Sequence, residues 1–418
     1  MYKKVRGFRD IFGDEIYYWN FIEKIIYDLS RRYGYSEYKI PVLEKAEVFN
    51  RGIGSTTDIV EKEMFIFKDK NDDFLALRPE GTAGMVRGFV ENKLYAISGV
   101  KKYFYYGPMF RRERPQKGRY RQFYQFGVEA FGSASPVLDS EVIKLLTDFF
   151  KECKIEDKLK LEINSIGCPE CRPLYKDKLT EYFETSKDEL CEDCRRRLNT
   201  NPMRILDCKI ESCKAIAEKA PVMINYLCRE CAQHFESVKT NLSNMNVSFE
   251  VNPHMVRGLD YYVRTAFEMV TDEFEANSTV GAGGRYDGLV KQLGGPDQPG
   301  IGFAVGIDRL VGLMESKDVI PQYHLDIFFV LPDGLLDEGV KIINNIREKG
   351  YSVDMDFDLG SVKSQMKKAN RFKAKLALIF GQNELDKKSV TIKDMDKGNQ
   401  ELVPFSRLME KLSIKLDK

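Results

Sequence analysis

The clearest alternation of polar and apolar residues in the chain runs from Arg121 to Ala130. One parity carries Arg121, Phe123, Gln125, Gly127 and Glu129, and the other carries Gln122, Tyr124, Phe126, Val128 and Ala130. A period of two with aromatic and β-branched residues predicts a β-strand whose even-numbered face packs inward. The odd-numbered face is polar, and we expect its glycine to leave room for a ligand.

An aromatic-rich segment, 102–110, precedes this strand and predicts a second one. Residues 111–119 between them form a polar, cationic stretch with turn residues, so we expect a hairpin with a long charged loop. A solvated loop on an ordinary hairpin is the alternative. Gln125 and Glu129 on one face of the strand favour a binding site.

Helical spacing of apolar residues predicts a helix over 14–32. A strand is predicted over 35–43, broken by Pro41. Short strands are predicted over 64–68 and 74–77, leading into a helix that ends near Phe89. Glu80 and Thr82 lie where strand gives way to helix. They are placed either to bind a ligand amine or to cap the helix.

The second half of the chain changes character twice. A helix over 140–153 and a strand over 158–164 precede a charged helical segment, about 171–247, which we interpret as an insertion. Residues 316–324 resemble a linker, and alternating strands and helices after it predict a small α/β domain. A run of cations there suits phosphates or forms a solvated helix face: Lys363, Lys367, Lys368, Arg371, Lys373 and Lys375.

Two C-x-x-C pairs, Cys168/Cys171 and Cys191/Cys194, are separated by 19 residues. This spacing matches a zinc ribbon, and four thiolates would make such a zinc structural. Reduced thiols in a charged helical region are the alternative, so a metal stays a candidate here.

Composition narrows the function classes. The chain has 418 residues and a net charge of 65 − 64 = +1, so any nucleic-acid site must be local. No signal peptide or membrane-spanning run is apparent, and we expect a cytoplasmic protein with no membrane contact. Its three histidines lie outside every motif, which weakens any mechanism that needs a histidine base.

Three dense motifs complete the pattern: RGLDYY from Arg257, GAGGRYDGL from Gly281, and GIGFAVGIDRL from Gly300. The glycine run lets backbone approach a ligand closely, yet it lacks the Lys-Ser/Thr of a Walker loop. Arg309 stands at a predicted helix start, where it could reach a polyphosphate or pair with an acid.

Together these residues resemble the histidyl-tRNA synthetases, a family of class II aminoacyl-tRNA synthetases. FRRERPQKGRYRQFYQFGVEAFG is similar to the family's motif 2, GIGFAVGIDRL to motif 3, and the first helix and strand with Pro41 to motif 1. RGLDYY and GAGGRYDGLV resemble the two histidine signatures. The cysteine pairs are not part of the family's catalytic pattern.

The resemblance implies an α+β fold: an antiparallel sheet flanked by helices over 1–322, with the helical insertion inside it, and an α/β anticodon-binding domain over 325–418. It implies a histidine–tRNA ligase that uses L-histidine, ATP with Mg²⁺, and tRNA(His). A homodimer built by motif 1 is expected on the same ground.

The resemblance also implies roles for single residues. Arg111 would contact the α-phosphate and the carboxylate of histidine, and Arg257 would approach the same phosphate from the other side and also contact histidine; these two would be the catalytic residues. Arg309 would hold the γ-phosphate, with help from Arg119 or Arg121. Glu80, Thr82 and Gln125 would accept from the amino acid's ammonium. The ring would be bound by Glu129 and Tyr262 in a pocket lined by Tyr261 and Tyr286.

Three other functions compete with this one. A synthetase-like regulatory subunit of the first enzyme of histidine biosynthesis would be expected to lose signature residues and the C-terminal domain. Another class II synthetase would lack RGLDYY and GGRYDGL. A tRNA-sensing module would not need intact phosphate-binding arginines.

Overall fold

The computed structural model describes residues 2–54, 57, 59–116, 118–274, 278–317 and 325–416. Two compact units make up the chain, Met1–Val319 and Ile320–Lys418. Most of the expected linker lies outside the described residues. Among the described residues, no helix combines the length and the apolar character that crossing a bilayer requires.

The first half of the larger unit supplies both strands of the expected hairpin. In chain order its elements are α1 (Glu15–Arg32), β1 (Ser36–Glu37), β2 (Leu43–Lys45), α2 (Ala46–Ile53), β3 (Phe65–Lys68), β4 (Phe74–Leu77), α3 (Thr82–Glu91), β5 (Lys101–Phe110), β6 (Gln122–Phe131), α4 (Pro136–Glu152) and β7 (Lys160–Ser165). The strand expected over 35–43 is interrupted at Pro41, as expected, and only β1 and the start of β2 are extended strand there. A proline has no N–H to donate to a ladder.

The second half contains the insertion and returns to the sheet. Its elements are α5 (Arg172–Glu184), α6 (Glu192–Thr200), α7 (Glu211–Ala217), α8 (Arg229–Asn244), β8 (Glu250–Val251), β9 (Val263–Thr271), β10 (Ser278–Arg285), α9 (Leu289–Gln292), β11 (Gly300–Gly306) and α10 (Ile307–Glu315). Helices α5, α6 and α7 pack with the cysteine-rich loops around a core of their own.

The main sheet has eight strands in the order β1-β5-β6-β11-β10-β9-β7-β8. The six inner strands run antiparallel, as expected. The two short edge strands pair in parallel with β5 and β7, so the sheet as a whole is mixed.

The two faces of the sheet bury different residues of β6. Phe126 and Val128 pack against α1, α4 and α10, as the even-numbered parity predicts. The odd-numbered face holds Gln125 and Glu129, both buried. The space above Gly127 was expected to admit a ligand, but the Tyr105 ring fills it: a Cβ at Gly127 would lie 2.3 Å from that ring.

The smaller unit is an α/β domain with its own core. Its elements are β12 (Leu325–Val330), α11 (Leu336–Glu348), β13 (Val353–Met355), α12 (Val362–Arg371), β14 (Ala374–Ile379), α13 (Gln382–Asp386), β15 (Ser389–Asp394), β16 (Gln400–Pro404) and α14 (Leu408–Leu416). The order is β13-β12-β14-β15-β16. The first three strands, expected from the sequence, run parallel, and the last two add antiparallel.

Candidate active site

A cavity of about 320 Å³ opens on the odd-numbered face of β6. Four parts of the chain meet there: the start of α3, the hairpin loop, the 257–262 loop, and the β10–β11–α10 region. Most residues singled out in the sequence line its wall: Glu80, Thr82, Arg111, Arg119, Gln125, Arg257, Tyr261, Tyr262 and Arg309.

Arginines from distant parts of the chain gather at one end of the cavity. The Arg111 Nε donates to the Pro79 carbonyl at 2.9 Å, and Arg309 donates to the Thr279 carbonyl. Burial lowers the pKa of Arg309, and the nearby charges of Arg119 and Arg111 lower it further. Like charges held this close favour an anion between them.

Arg257 approaches the cavity from the loop that follows β8. It forms an ion pair with Glu268, and its guanidinium lies 5.2 Å from the Tyr262 ring centroid. The Glu268 charge raises the pKa of Arg257 despite burial, so this side chain stays cationic. Its Nε is buried without a hydrogen-bond partner among the described residues.

Glu80 caps α3, and its position is also compatible with binding a ligand amine. Its carboxylate accepts from the backbone N–H of Thr82 at 2.7 Å and of Ala83 at 2.8 Å, which caps α3. The same residue lines the cavity, and burial raises its pKa. A ligand cation would relieve that burial cost, because an opposite charge favours the ionised carboxylate.

Glu129 lies just behind the cavity wall and is fully buried. Its carboxylate accepts from the Thr82 hydroxyl at 2.6 Å and from the Tyr286 hydroxyl at 2.5 Å. Burial raises the pKa of Glu129 to about 8, although both hydrogen bonds act to lower it. Beside it, Gln125 Oε1 is buried with no partner among the described residues.

The structure does not bring Arg121 to the cavity wall. Its guanidinium lies 3.5 Å from the Arg6 carbonyl, and its stem packs over Gly7. The expected choice between Arg119 and Arg121 therefore favours Arg119, because residue 121 sits where the N-terminal segment crosses the hairpin.

Two acids on the cavity wall were not singled out in the sequence. Glu113 lies 3.2 Å from Arg119 and 3.8 Å from Arg111. Its position among the arginines of RRERP is the sequence feature that could have identified it. Asp308 accepts from the Tyr124 N–H at 2.9 Å and pairs with Arg9 at 2.8 Å. Its partner lies 299 residues away, so no local pattern pointed to it.

The cysteines require a correction. The expected group of Cys168, Cys171, Cys191 and Cys194 is not formed, because its two pairs lie in different clusters. The first cluster is Cys168, Cys171, Cys228 and Cys231; the second cluster is Cys191, Cys194, Cys208 and Cys213. Spacing alone suggested pairing neighbours in sequence, whereas the fold of the insertion pairs each with a later segment.

Comparison with known proteins places this site in a family. A family model described as histidyl-tRNA synthetase matches residues 7–171 and 188–310. A second one, described as an anticodon binding domain, matches residues 327–415. Together they account for the large sheet, its cavity and the smaller α/β unit.

Individual relatives match this chain over nearly its whole length. The histidine–tRNA ligase of Natranaerobius thermophilus is 46% identical over 414 residues, which are 98% of each chain. That of Geobacter sulfurreducens is 45% identical over 96% of this chain and 97% of its own. Apo histidyl-tRNA synthetase of S. aureus superposes with a TM-score of 0.80 at 36% identity, covering 99% of this chain and 100% of that one.

Proposed function

The chain belongs to the histidyl-tRNA synthetase family and joins histidine to tRNA, and from that premise we propose how its residues divide the work. In the first step the histidine carboxylate attacks the α-phosphorus of ATP, and pyrophosphate leaves. A hydroxyl of the terminal tRNA ribose then attacks the acyl carbon, and AMP leaves. Neither step needs a protein nucleophile, so the protein supplies position and charge.

We propose that Arg111 and Arg257 bind the α-phosphate from two sides. The support is that the hairpin loop and the 257–262 loop bring both guanidiniums to one cavity. Charge develops on the phosphoryl oxygens as the carboxylate adds. A planar, permanently charged fork suits those oxygens. Arg309 and Arg119, at the same end, would hold the outer phosphates.

ATP brings Mg²⁺, which prefers oxygen ligands from carboxylates and phosphates. Glu113 fits this need, since it stands among the arginines at the phosphate end. We infer that Glu113 faces the ion. Glu113→Gln should then raise the Mg²⁺ concentration needed for half-maximal rate, and an unchanged requirement would remove it from this role.

The same cavity also carries groups that suit the amino acid. Its ammonium has three donors, and the cavity lining offers three acceptors: Glu80, the Thr82 hydroxyl and Gln125 Oε1. The strongest support for ammonium binding here is Gln125 Oε1, which is buried without a hydrogen-bond partner among the described residues. A buried acceptor without a donor costs free energy, which a bound ammonium would recover.

We propose that the imidazole is bound by Glu129 and Tyr262, with Tyr261 and Tyr286 as its walls. A neutral imidazole offers one N–H donor and one acceptor nitrogen. The Glu129 carboxylate can accept the first, and the Tyr262 hydroxyl can donate to the second. Thr82 and Tyr286 hold Glu129 in place through their hydrogen bonds.

One observation carries this assignment: the arginines proposed to bind phosphates and the acceptors proposed to bind the amino acid line the same cavity. Amino-acid-dependent exchange of pyrophosphate into ATP tests it without tRNA. We expect exchange with histidine alone among the amino acids. Exchange with another amino acid, or none, would overturn the assignment.

The regulatory-subunit alternative is the closest competitor in fold. A structure titled as an ATP phosphoribosyltransferase regulatory subunit/histidyl-tRNA synthetase, from Bacillus halodurans C, superposes with a TM-score of 0.65 at 19% identity, which supports the fold alone. This chain keeps Arg111, Glu129, Arg257 and Arg309 together with a C-terminal domain. A regulatory subunit would have no use for that set, and the exchange assay separates the two.

We also propose the homodimer that motif 1 implies, with the small sheet β2-β4-β3, which begins where that segment ends, as part of the interface. Leu43, Ile66, Phe67 and Phe74 are exposed there. Covering such a patch would remove apolar surface from water. Sedimentation at micromolar concentration tests this, and a monomer mass would overturn it.

The remaining expectations concern compartment and zinc. We infer a cytoplasmic enzyme, since its nine cysteines are free and its tRNA substrate is cytoplasmic. We also infer that zinc, where bound, is structural, because no cysteine of either cluster lines the substrate cavity.

A further inference from the structure

The insertion places eight cysteines in two groups of four. In each group the sulfur atoms lie within 4.8 Å of one another. Recorded separations are 3.5 Å for Cys168–Cys171, 4.0 Å for Cys168–Cys228 and 4.0 Å for Cys191–Cys208. Disulfide sulfurs are only about 2.05 Å apart, so these are groups of thiols rather than bonded pairs.

The separations fit one tetrahedral ion per cluster. Sulfurs at about 2.3 Å from a central zinc are about 3.8 Å from one another. A cluster of several iron atoms would hold its four cysteine sulfurs farther apart. Four thiolates around a single centre are the usual ligand set of structural zinc.

The backbone around the sulfurs is arranged for thiolates. The Cys228 N–H donates to Cys171 Sγ at 3.1 Å, so the second pair of the first cluster supports the first pair. In the second cluster the Cys191 N–H donates to Cys213 Sγ at 3.2 Å. Such bonds stabilise negative sulfur and fix its direction.

One C-x-x-C pair of each cluster also begins a helix. Cys191 is the N-cap of α6 and accepts from the Cys194 N–H; Cys228 is the N-cap of α8 and accepts from the Cys231 N–H. Helix N-termini carry partial positive charge, which favours a thiolate. Two unrelated segments thus repeat the same local geometry.

Both clusters are tied to the loop that carries Arg257 and Tyr262. Arg172 follows the first cluster's Cys171 and donates to the Tyr262 carbonyl. Arg204, four residues before Cys208 of the second cluster, donates to the Gly258 carbonyl at 2.9 Å and to Asp260 Oδ1 at 3.2 Å. One arginine from each cluster therefore holds the same loop.

We propose that this chain binds two zinc ions, one in each cluster, and that they fix the 257–262 loop for substrate binding through Arg172 and Arg204. The loop function rests on the proposed role of Arg257 and Tyr262; the two ions do not. Arg172 and Arg204 are positioning residues, since they contact the loop's backbone and Asp260 rather than substrate.

Metal content of the purified full-length enzyme tests the sites independently of activity. Wild type should contain two zinc ions per chain. Each of two double variants should keep one zinc ion per chain: Cys168→Ser/Cys171→Ser and Cys191→Ser/Cys194→Ser. Cys153→Ala, which removes the ninth cysteine, should keep two.

Other stoichiometries would overturn this arrangement. A single site built from both C-x-x-C pairs gives one ion in wild type and none in either double variant. Wild type with no metal, or with iron, also contradicts the proposal. If a double variant fails to fold, the metal content of the wild type still distinguishes two zinc sites from one.

Kinetics test the link to the loop. Arg204→Ala should raise the KM for histidine about tenfold, the usual effect of losing a charged hydrogen bond, with a smaller change in kcat and no loss of zinc. Arg204→Lys should recover part of the affinity. Arg196→Ala, an exposed arginine of α6, is the matched control and should leave the KM unchanged. An unchanged KM in Arg204→Ala with two zinc ions bound would remove the link while leaving the sites in place.

Discussion

Arg257 combines three properties that a phosphate-binding catalytic residue needs. It stays charged beside Glu268, it is held over the Tyr262 ring, and it lines the substrate cavity. A fixed cation in a site shielded from water stabilises developing charge far more than one in solution. Its ion-pair partner Glu268 belongs to β9, a strand within the main sheet.

Arg257→Ala should lower the rate of histidine-dependent pyrophosphate exchange by at least about 10²–10³-fold, the usual effect of removing one transition-state contact. Circular dichroism and thermal unfolding should show that the fold remains. Arg264→Ala, a nearby arginine that pairs with Glu230, serves as control. Near-normal exchange in Arg257→Ala would contradict the role.

Glu129→Gln should weaken histidine binding much more than ATP binding. The carboxylate is buried, and its loss replaces an acceptor for the ring N–H by an amide that the Thr82 and Tyr286 hydroxyls hold less firmly. We expect the KM for histidine to rise about 10–100-fold and the KM for ATP to change little. Equal rises in both constants would argue against this contact.

The sequence predicted the residues of the site better than their surroundings. Alternation placed Gln125 and Glu129 on one face because a strand's period of two is local. It could not show that Tyr105 fills the space above Gly127, or that the N-terminal segment draws Arg121 away. Both depend on which segments cross one another, which no local pattern contains.

At the scale of elements, the site depends on how closely β6 and β11 approach. Gly302 pairs with Glu129 across the two strands. A Cβ at Gly302 would lie 2.0 Å from Glu129 Oε2 and 2.2 Å from the Val128 carbonyl oxygen. The absence of a side chain there lets the Glu129 carboxylate occupy the face that we propose binds histidine.

Gly302→Ala should therefore lower the free energy of unfolding by about 1–3 kcal/mol, the usual cost of overpacking, and raise the KM for histidine. Urea unfolding and exchange kinetics measure the two effects. Gly312→Ala in α10 is the matched control: its Cβ would lie 3.5 Å from the Phe274 ring, so stability should hold or rise. A stable Gly302→Ala enzyme with a normal KM would contradict the packing argument.

Elements with strong periods were predictable, and short or edge elements were not. The apolar spacing of α1 predicted its buried face, including Trp19, Ile22 and Leu29. Strands β1 and β2 have two and three residues, too few to show a period. Strands β15 and β16 were missed because tertiary pairing, of β15 with β14 and of β16 with β15, defines them rather than local pattern.

For the whole molecule, the charged helix α12 of the smaller unit offers a test of tRNA binding. Lys363 and Lys367 are exposed, whereas Lys368 pairs with Asp356. Lys363→Ala/Lys367→Ala should raise the KM for tRNA several-fold, reduce the salt dependence by about one unit per lost phosphate contact, and leave pyrophosphate exchange unchanged. Lys341→Ala on α11 is the control; equal effects from both would rule out a specific contact.

Contacts between residues far apart in the chain could not be predicted from the sequence. Cys168 and Cys171 meet a pair 57 to 60 residues later, and Asp308 meets Arg9 across nearly the whole chain. A spacing rule favours neighbours in sequence, whereas the compact fold brings together residues from distant segments. The family resemblance supplied the roles of Arg257 and Arg309, which local periodicity could not.

We propose that one cavity binds both halves of histidyl-adenylate. Calorimetry with a non-hydrolysable sulfamoyl analogue of that adenylate tests it most directly, beside the phenylalanyl analogue of similar shape. The histidyl compound should bind tighter by roughly 10⁴-fold, because a site built for ring nitrogens leaves buried polar groups unpaired with phenyl. Arg257→Ala and Glu129→Gln should each weaken its binding. Equal affinity for both analogues would contradict the proposal that this cavity recognises the imidazole ring.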